Sequence, residues 1–261
     1  MMLSLQARPS AWLLSFLAFA CAALPAQADD EDMFLGVAHY HRVGPYRTSA
    51  TNSLEPTGDY EGKRFIIRGD TVGMRLWRQG SLSFDLIAQN DLLAFRAADA
   101  QTAALRALHN RQEGLNGGLE LAWTPTADDA VHLATTYDLL GQSKSAQTSV
   151  EYDHTFALPV SYTQIIPNVA YTRYASRYSR YYFGISADDK QRTSLSTFTP
   201  GATGRFDAGL TIVQPFSKDV AMFVDYTHKR YGSGIAASPM LARSSYFEAN
   251  VGLVYNFKGL F

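Results

Sequence analysis

The sequence predicts an all-β protein: a closed antiparallel transmembrane β-barrel of about 12 strands in the bacterial outer membrane. Three observations carry this. The chain opens with an export leader. Beyond it no stretch approaches the ~20 consecutive apolar residues that a membrane helix needs. Segment after segment then alternates apolar and polar side chains at period two, the pattern of a strand with two different solvents on its two faces.

Arg8 precedes the apolar run Ala11 to Leu24, and Ala26, Gln27 and Ala28 stand just before the acidic stretch that begins at Asp29. This is the layout of a secretory signal peptide with a small-residue cleavage site. Residues 1–28 are therefore expected to be removed and residues 29–261 to form the barrel; the run is short for an uncleaved anchor. Cys21, the single cysteine, lies inside the run, and the AFAC around it makes a poor site for lipid attachment. A mature chain without it has no disulfide framework, thiolate metal site or cysteine nucleophile.

Charge excludes a further class. The net charge of -1 and a pI near 6.6 provide no basic footprint for nucleic acid. Mean hydropathy is slightly negative at -0.14. Tyrosine and phenylalanine number 15 each, an aromatic content that suits the interfacial girdles of a barrel.

Strands are expected at 31–43, 62–69, 71–79, 81–89, 115–124, 129–140, 146–157, 161–174, 178–186, 203–214, 219–230 and 246–257. Many are clean dyads. Leu82, Phe84 and Leu86 oppose Ser83 and Asp85; Phe206, Ala208, Leu210 and Ile212 oppose Arg205, Asp207, Gly209 and Thr211. Arg68 to Thr71, RGDT, could instead be the bend of one strand, and ten strands is the alternative count. Asp99 to Gly114 has helical propensity and is expected to form a short helix or ordered loop against or inside the barrel. Ser186 to Thr203 and Lys229 to Ser245 read as long extracellular loops, while Pro215 to Asp219 and Tyr174 to Ser179 read as short periplasmic turns.

The last segment explains why the sheet must close. Phe247, Ala249, Val251, Leu253, Tyr255 and Phe257 alternate with Glu248, Asn250, Gly252 and Asn256. A backbone in hydrocarbon needs internal partners for its polar groups, so this strand must pair with the first one. Gly252, Tyr255 and either Phe257 or Phe261 are the residues expected to be read by the barrel assembly machinery. Tyr40, Tyr137, Tyr174, Tyr178 and Tyr226 are expected members of the aromatic girdles.

Four stretches together carry a family resemblance. Arg180 to Ser186, RYYFGIS, is similar to a tyrosine-rich YYYGV element; Ala237 to Leu241, ASPML, resembles an SPL loop; Leu105 to Leu121 and the ending Gly252 to Phe257, GLVYNF, complete the order. On these the chain resembles the MipA/OmpV family of outer-membrane proteins. Its matching positions are Tyr181, Tyr182, Gly184, Ser238 and Pro239. The resemblance implies a non-enzymatic barrel that acts as a scaffold for peptidoglycan synthesis and remodelling. Its implied partners are a lytic transglycosylase and a penicillin-binding protein, besides outer-membrane lipid and lipopolysaccharide. A small diffusion channel or a surface adhesin is the alternative, and an outer-membrane hydrolase a third.

Several residues are of types that carry chemistry. Asp225 with His228 and Asp153 with His154 suggest acid–base pairs, but each pair has opposite parity, so its members point to opposite faces. His39 and His41 share a face without a third ligand at suitable spacing. Asp128, Asp129, Asp188 and Asp189 belong to expected solvated turns. No phosphate cradle or nucleophile elbow occurs, so no catalytic, cofactor or metal residue is assigned. The expected interior is Arg75, Asp85, Glu120, Asp138, Glu151, Asp153, Arg205, Asp207, Asp225 and Glu248. Its mixed sign fits a salt-bridged filling better than a selective filter, which would show a ring of one sign.

Overall fold

The computed structural model describes residues 33–257. The expected leader, Cys21 and Phe261 lie outside them. The strands are β1 (Met33–Arg42), β2 (Thr51–Glu61), β3 (Phe65–Arg68), β4 (Thr71–Gln79), β5 (Leu82–Asp91), β6 (Gly114–Trp123), β7 (Asp129–Asp138), β8 (Ala146–His154), β9 (Phe156–Leu158), β10 (Thr163–Tyr174), β11 (Thr203–Pro215), β12 (Val220–Tyr231) and β13 (Ser245–Asn256). β8 and β9 are interrupted only at Thr155 and both pair with β10, so the wall has twelve strands.

All neighbours are antiparallel and the sheet closes on itself, with β1 against β13 from Phe34 opposite Asn256 to Arg42 opposite Glu248. The strands are strongly tilted. Passing from partner to partner, Met33 leads to Tyr60, Ile67, Val72, Ala88, Gly117, Tyr137 and Ala146. Seven steps thus climb from the first residue of β1 to the first residue of β8, the stagger that closure of a barrel requires. The seam tolerates no side chain at Gly36, where a Cβ would overlap the carbonyl oxygen of Leu253.

Parity divides the two solvents. Leu82, Phe84 and Leu86 stand exposed on the outer face of β5, while Ser83 and Asp85 between them, and Ile87 just beyond, are buried inside. The same holds for Leu119, Leu121 and Trp123 of β6 and for Phe247, Val251, Leu253 and Tyr255 of β13. The register of β4 slips between Arg75 and Trp77, so Leu76 and Trp77, adjacent in sequence, are both exposed on the outside. A bulge of this kind re-aims side chains without breaking the sheet.

With both described ends on the periplasmic rim, the short turns 62–64, 80–81, 124–128, 159–162 and 216–219 share that rim, and the long connections are extracellular. Four α-helices lie in those connections: α1 (Ala103–Arg106), α2 (Ser176–Phe183), α3 (Ala187–Arg192) and α4 (Ser233–Ala236).

Several expectations are corrected. Residues 178–186, read as a strand, lie largely in α2: aromatic residues favour strands in general, but Tyr178 and Tyr182 at i and i+4 share one helical face, and that face is buried. The stretch 174–179 consequently runs from the last residue of β10 into an extracellular connection, and is not a periplasmic turn. A strand missing from the expected set, β2, occupies residues 51–61; Pro56, Gly58 and its polar residues hide it. Its partner β3 is only four residues long, pairing Asp59 to Glu61, and Gly69 N–H donates to the Gly58 carbonyl just above. Successive residues direct their backbone groups to opposite edges, so Pro56 sits on the same edge as Gly58, above the reach of β3. No ladder bond is lost there. Thr71 starts a separate strand, which decides the count at twelve rather than ten.

Candidate functional site: an aromatic cap over a charged lumen

The extracellular mouth is filled by a hydrophobic core built from its own loops. Tyr46 from the β1–β2 loop, Phe95, Leu105 and Leu108 from the β5–β6 segment, Tyr178, Tyr182, Phe183 and Ile185 from the β10–β11 segment, and Ile235, Met240 and Leu241 from the β12–β13 loop pack together. Tyr174, Tyr231 and Tyr246 from the strand tops join them. Tyr174 and Tyr178 are therefore not in the girdle: they stack ring on ring at 4.4 Å, almost wholly buried. Tyr40 also leaves the girdle, because its parity is inward and the Arg42 guanidinium lies 4.3 Å from its ring centre. Tyr137 and Tyr226 do face outward.

Polar contacts pin the loops to one another. The Tyr46 hydroxyl donates to the Tyr182 carbonyl at 3.0 Å, and the Ser238 hydroxyl donates to the Phe183 carbonyl at 2.6 Å. Arg47 N–H donates to the Met240 carbonyl, and Gln101 N–H to the Arg47 carbonyl. The five family-like positions converge here. Tyr181 and Tyr182 hydroxyls bracket Gln112, one accepting from its N–H and the other donating to its carbonyl. Arg111 donates to the carbonyl of Gly184, where any Cβ would overlap the Arg180 carbonyl oxygen. Half-buried Pro239 follows Ser238 into the core.

Asp189 is the polar hub of the cap. It caps α3 in a reciprocal box with Ser186, accepts from Arg111 at 3.0 Å, and lies 2.9 Å from His109 Nδ1. Burial raises its pKa, but His109, the Ser186 N–H and hydroxyl, and the Arg111 charge outweigh that and hold it well below the usual carboxylate range. Burial pushes the Tyr46, Tyr178 and Tyr182 phenols up, so they remain neutral donors. Asp189, expected in a solvated turn, is thus a buried structural carboxylate; Asp188 remains exposed.

Below the cap the expected interior residues all project inward, and most are paired. Arg75 joins Asp85 and Glu61, Arg205 chelates Asp207 at 2.7 Å, and Lys229 meets Glu248 at 2.6 Å. Asp138 accepts from the N–H groups of Leu140, Ser143 and Lys144, and Asp225 from Thr211 and Asn250. The structure adds residues that strand reading passed over. Arg42 pairs with Glu55 at 2.7 Å, and Arg68 contacts Glu120 while lying 2.8 Å from His132. The inward parity of Arg42, Arg68 and His132 was the available signal, but β2 and the true extent of β3 were needed to supply their surroundings.

The suspected acid–base pairs do not assemble. Asp225 points inward while His228 lies outside against Phe247, and Asp153 points inward while His154 meets Asp129 on the outer face at 2.8 Å. His39 and His41 both face outward, His41 bonded to Asn52 at 2.9 Å. Gly252 faces the lumen under the Phe223 ring, and Tyr255 and Phe257 pack edge to face at 4.9 Å near the periplasmic rim.

A closed antiparallel wall with an apolar outer belt and an ion-paired interior defines an outer-membrane β-barrel protein. More narrowly, the chain belongs to the family described as MltA-interacting protein MipA, which matches residues 35–257. It is similar to the putative outer membrane protein YiaT of Escherichia coli O157:H7, 24% identical over 90% of this chain and 96% of that protein. It is likewise similar to the MltA-interacting protein of Escherichia coli strain K12, 24% identical over 82% of this chain and 85% of the relative. Outer membrane protein OmpV of Vibrio cholerae is 25% identical over 72% of this chain and 67% of its own length.

Proposed function

We propose that the protein is a non-enzymatic scaffold. It holds peptidoglycan-remodelling and peptidoglycan-synthesising enzymes, a lytic transglycosylase and a penicillin-binding protein, at the periplasmic side of the outer membrane. The observation that carries this is the filled extracellular mouth. A diffusion channel needs an aqueous path through both rims, and here four loop segments bury an aromatic core across one of them. The name of the MltA-interacting relative supplies the kind of partner. A hydrolase is disfavoured on geometry. At the cap the Asp189 carboxylate stands between His109 and the Ser186 hydroxyl and binds both, whereas an activated nucleophile must hydrogen-bond its base directly.

Cross-linking in intact cells tests the reading: a lytic transglycosylase or a murein synthase is expected among the adducts, and recovery of neither would count against it. The polar lumen favours one competitor, a small diffusion channel. Planar-bilayer recordings decide between them, with a closed trace at all voltages expected for the capped barrel.

A further inference from the structure

Among the described residues, the lipid-facing side of the wall carries exposed arginines without a carboxylate partner, and most of its outward histidines, at one place. Among the described strands, outward-pointing Arg173, Arg230, His39, His41 and His228 all stand at the extracellular ends of β10, β12 and β1. Their outward direction follows from parity with exposed Tyr171, Tyr226 and Val37. At the periplasmic end the outward Asp129 and His154 satisfy each other. Arg173 and Arg230 are exposed, and no carboxylate of the described residues pairs with either.

These residues occupy neighbouring strands. Arg173 lies opposite Gly204 of β11, Arg230 lies opposite Phe206, and β12 continues through β13 to β1. One strand separates the two arginines and their partners on it lie two residues apart, so their Cα atoms stand about 12 Å apart across the sheet. Between them the surface is a smooth aromatic floor: the Tyr171 ring lies over Gly204, where a Cβ would overlap it, and Phe206 is exposed beside it. His228 packs on Phe247 at 4.8 Å next to Tyr226, extending the floor toward β1.

An arginine on the hydrocarbon side of a barrel is costly at the midplane and tolerated only near the interface, where its stem lies along apolar surface and its head reaches a phosphate. Guanidinium groups bind phosphate bidentately. Two of them flanking an apolar floor match a lipid that presents more than one phosphate on a rigid headgroup with acyl chains beneath. We infer that the outer face of β10 to β12, extended to β1, is a binding site for the phosphorylated glucosamine headgroup of lipid A, the membrane anchor of lipopolysaccharide.

The test uses the full barrel in detergent. Binding of purified lipid A, dephosphorylated lipid A and phosphatidylglycerol is measured by native mass spectrometry and by the shift in thermal unfolding. Wild type is expected to retain lipid A over both controls. The double variant Arg173→Ala/Arg230→Ala is expected to weaken lipid A binding about tenfold or more, while Arg173→Lys/Arg230→Lys, which keeps the charge and loses the bidentate fork, is expected to bind between it and wild type. Heat-modifiable migration establishes that each variant is folded. If the double alanine variant fails to assemble, the two single variants carry the test, each expected to bind more weakly. Undiminished binding in the alanine variants overturns the site. Equal binding of dephosphorylated lipid A, or of phosphatidylglycerol, overturns the assignment of its ligand.

Discussion

The Ser238 hydroxyl donates a 2.6 Å hydrogen bond to the carbonyl oxygen of Phe183, joining the β12–β13 loop to the last residue of α2 inside the cap. The two residues lie in RYYFGIS and ASPML, two of the four stretches read from the sequence as family-like, and the contact joins those stretches in one structural clasp. Both groups are buried, and the contact also orders the loop, since the same hydroxyl accepts from Met240 N–H. Ser238→Ala leaves the carbonyl without its donor and is expected to cost about 1–3 kcal/mol of cap stability. Because the wall strands do not depend on this bond, protease treatment of intact cells should cut the variant's loops faster while heat-modifiable migration stays normal.

The Asp189 cluster makes the cap sensitive to strong acid. The folded-state pKa of Asp189 is depressed below its unfolded value of about 4, so its contribution is complete above that pH and is lost as the pH falls through the folded value. Hydrogen exchange of residues 103–113 and 184–192, taken relative to the intrinsic rate at each pH, should therefore accelerate only below about pH 4. Asp189→Asn should accelerate it already at neutral pH and flatten the acid response. An unchanged pH profile in the variant would show that another group governs the transition.

Inside the wall, Asp85 is fully buried and Arg75 is its cationic partner. Arg75→Met strands that carboxylate, and a loss of about 3–5 kcal/mol is expected. Replacing both, as Arg75→Met/Asp85→Leu, removes the uncompensated charge and should recover much of the loss. Urea midpoints in detergent micelles measure both.

Closure of the barrel can be tested at Gly36. A side chain there collides with the backbone of Leu253 in the β1–β13 seam, a contact that a rotamer change cannot relieve. Gly36→Val is expected to prevent closure, which would appear as loss of the fast-migrating heat-modifiable form and accumulation in the periplasm. Normal assembly of this variant would require the seam to be more yielding than the ladder indicates.

The amino-acid sequence by itself determined the two-faced wall. Alternation such as Leu82, Phe84 and Leu86 against Ser83 and Asp85 is imposed residue by residue by hydrocarbon on one side and an enclosed polar space on the other, so it is legible locally. The interior charges followed from the same parity. Tertiary structure alone decided the rest: that Tyr174 and Tyr178 leave the membrane boundary for the cap, that α2 is a helix, that β2 is a strand despite Pro56, and that Asp189 is buried rather than solvated. The physical reason is that loop residues meet no uniform solvent. Their burial depends on four segments distant in sequence arriving at one rim, and a local pattern carries no record of neighbours supplied by the closing of the sheet.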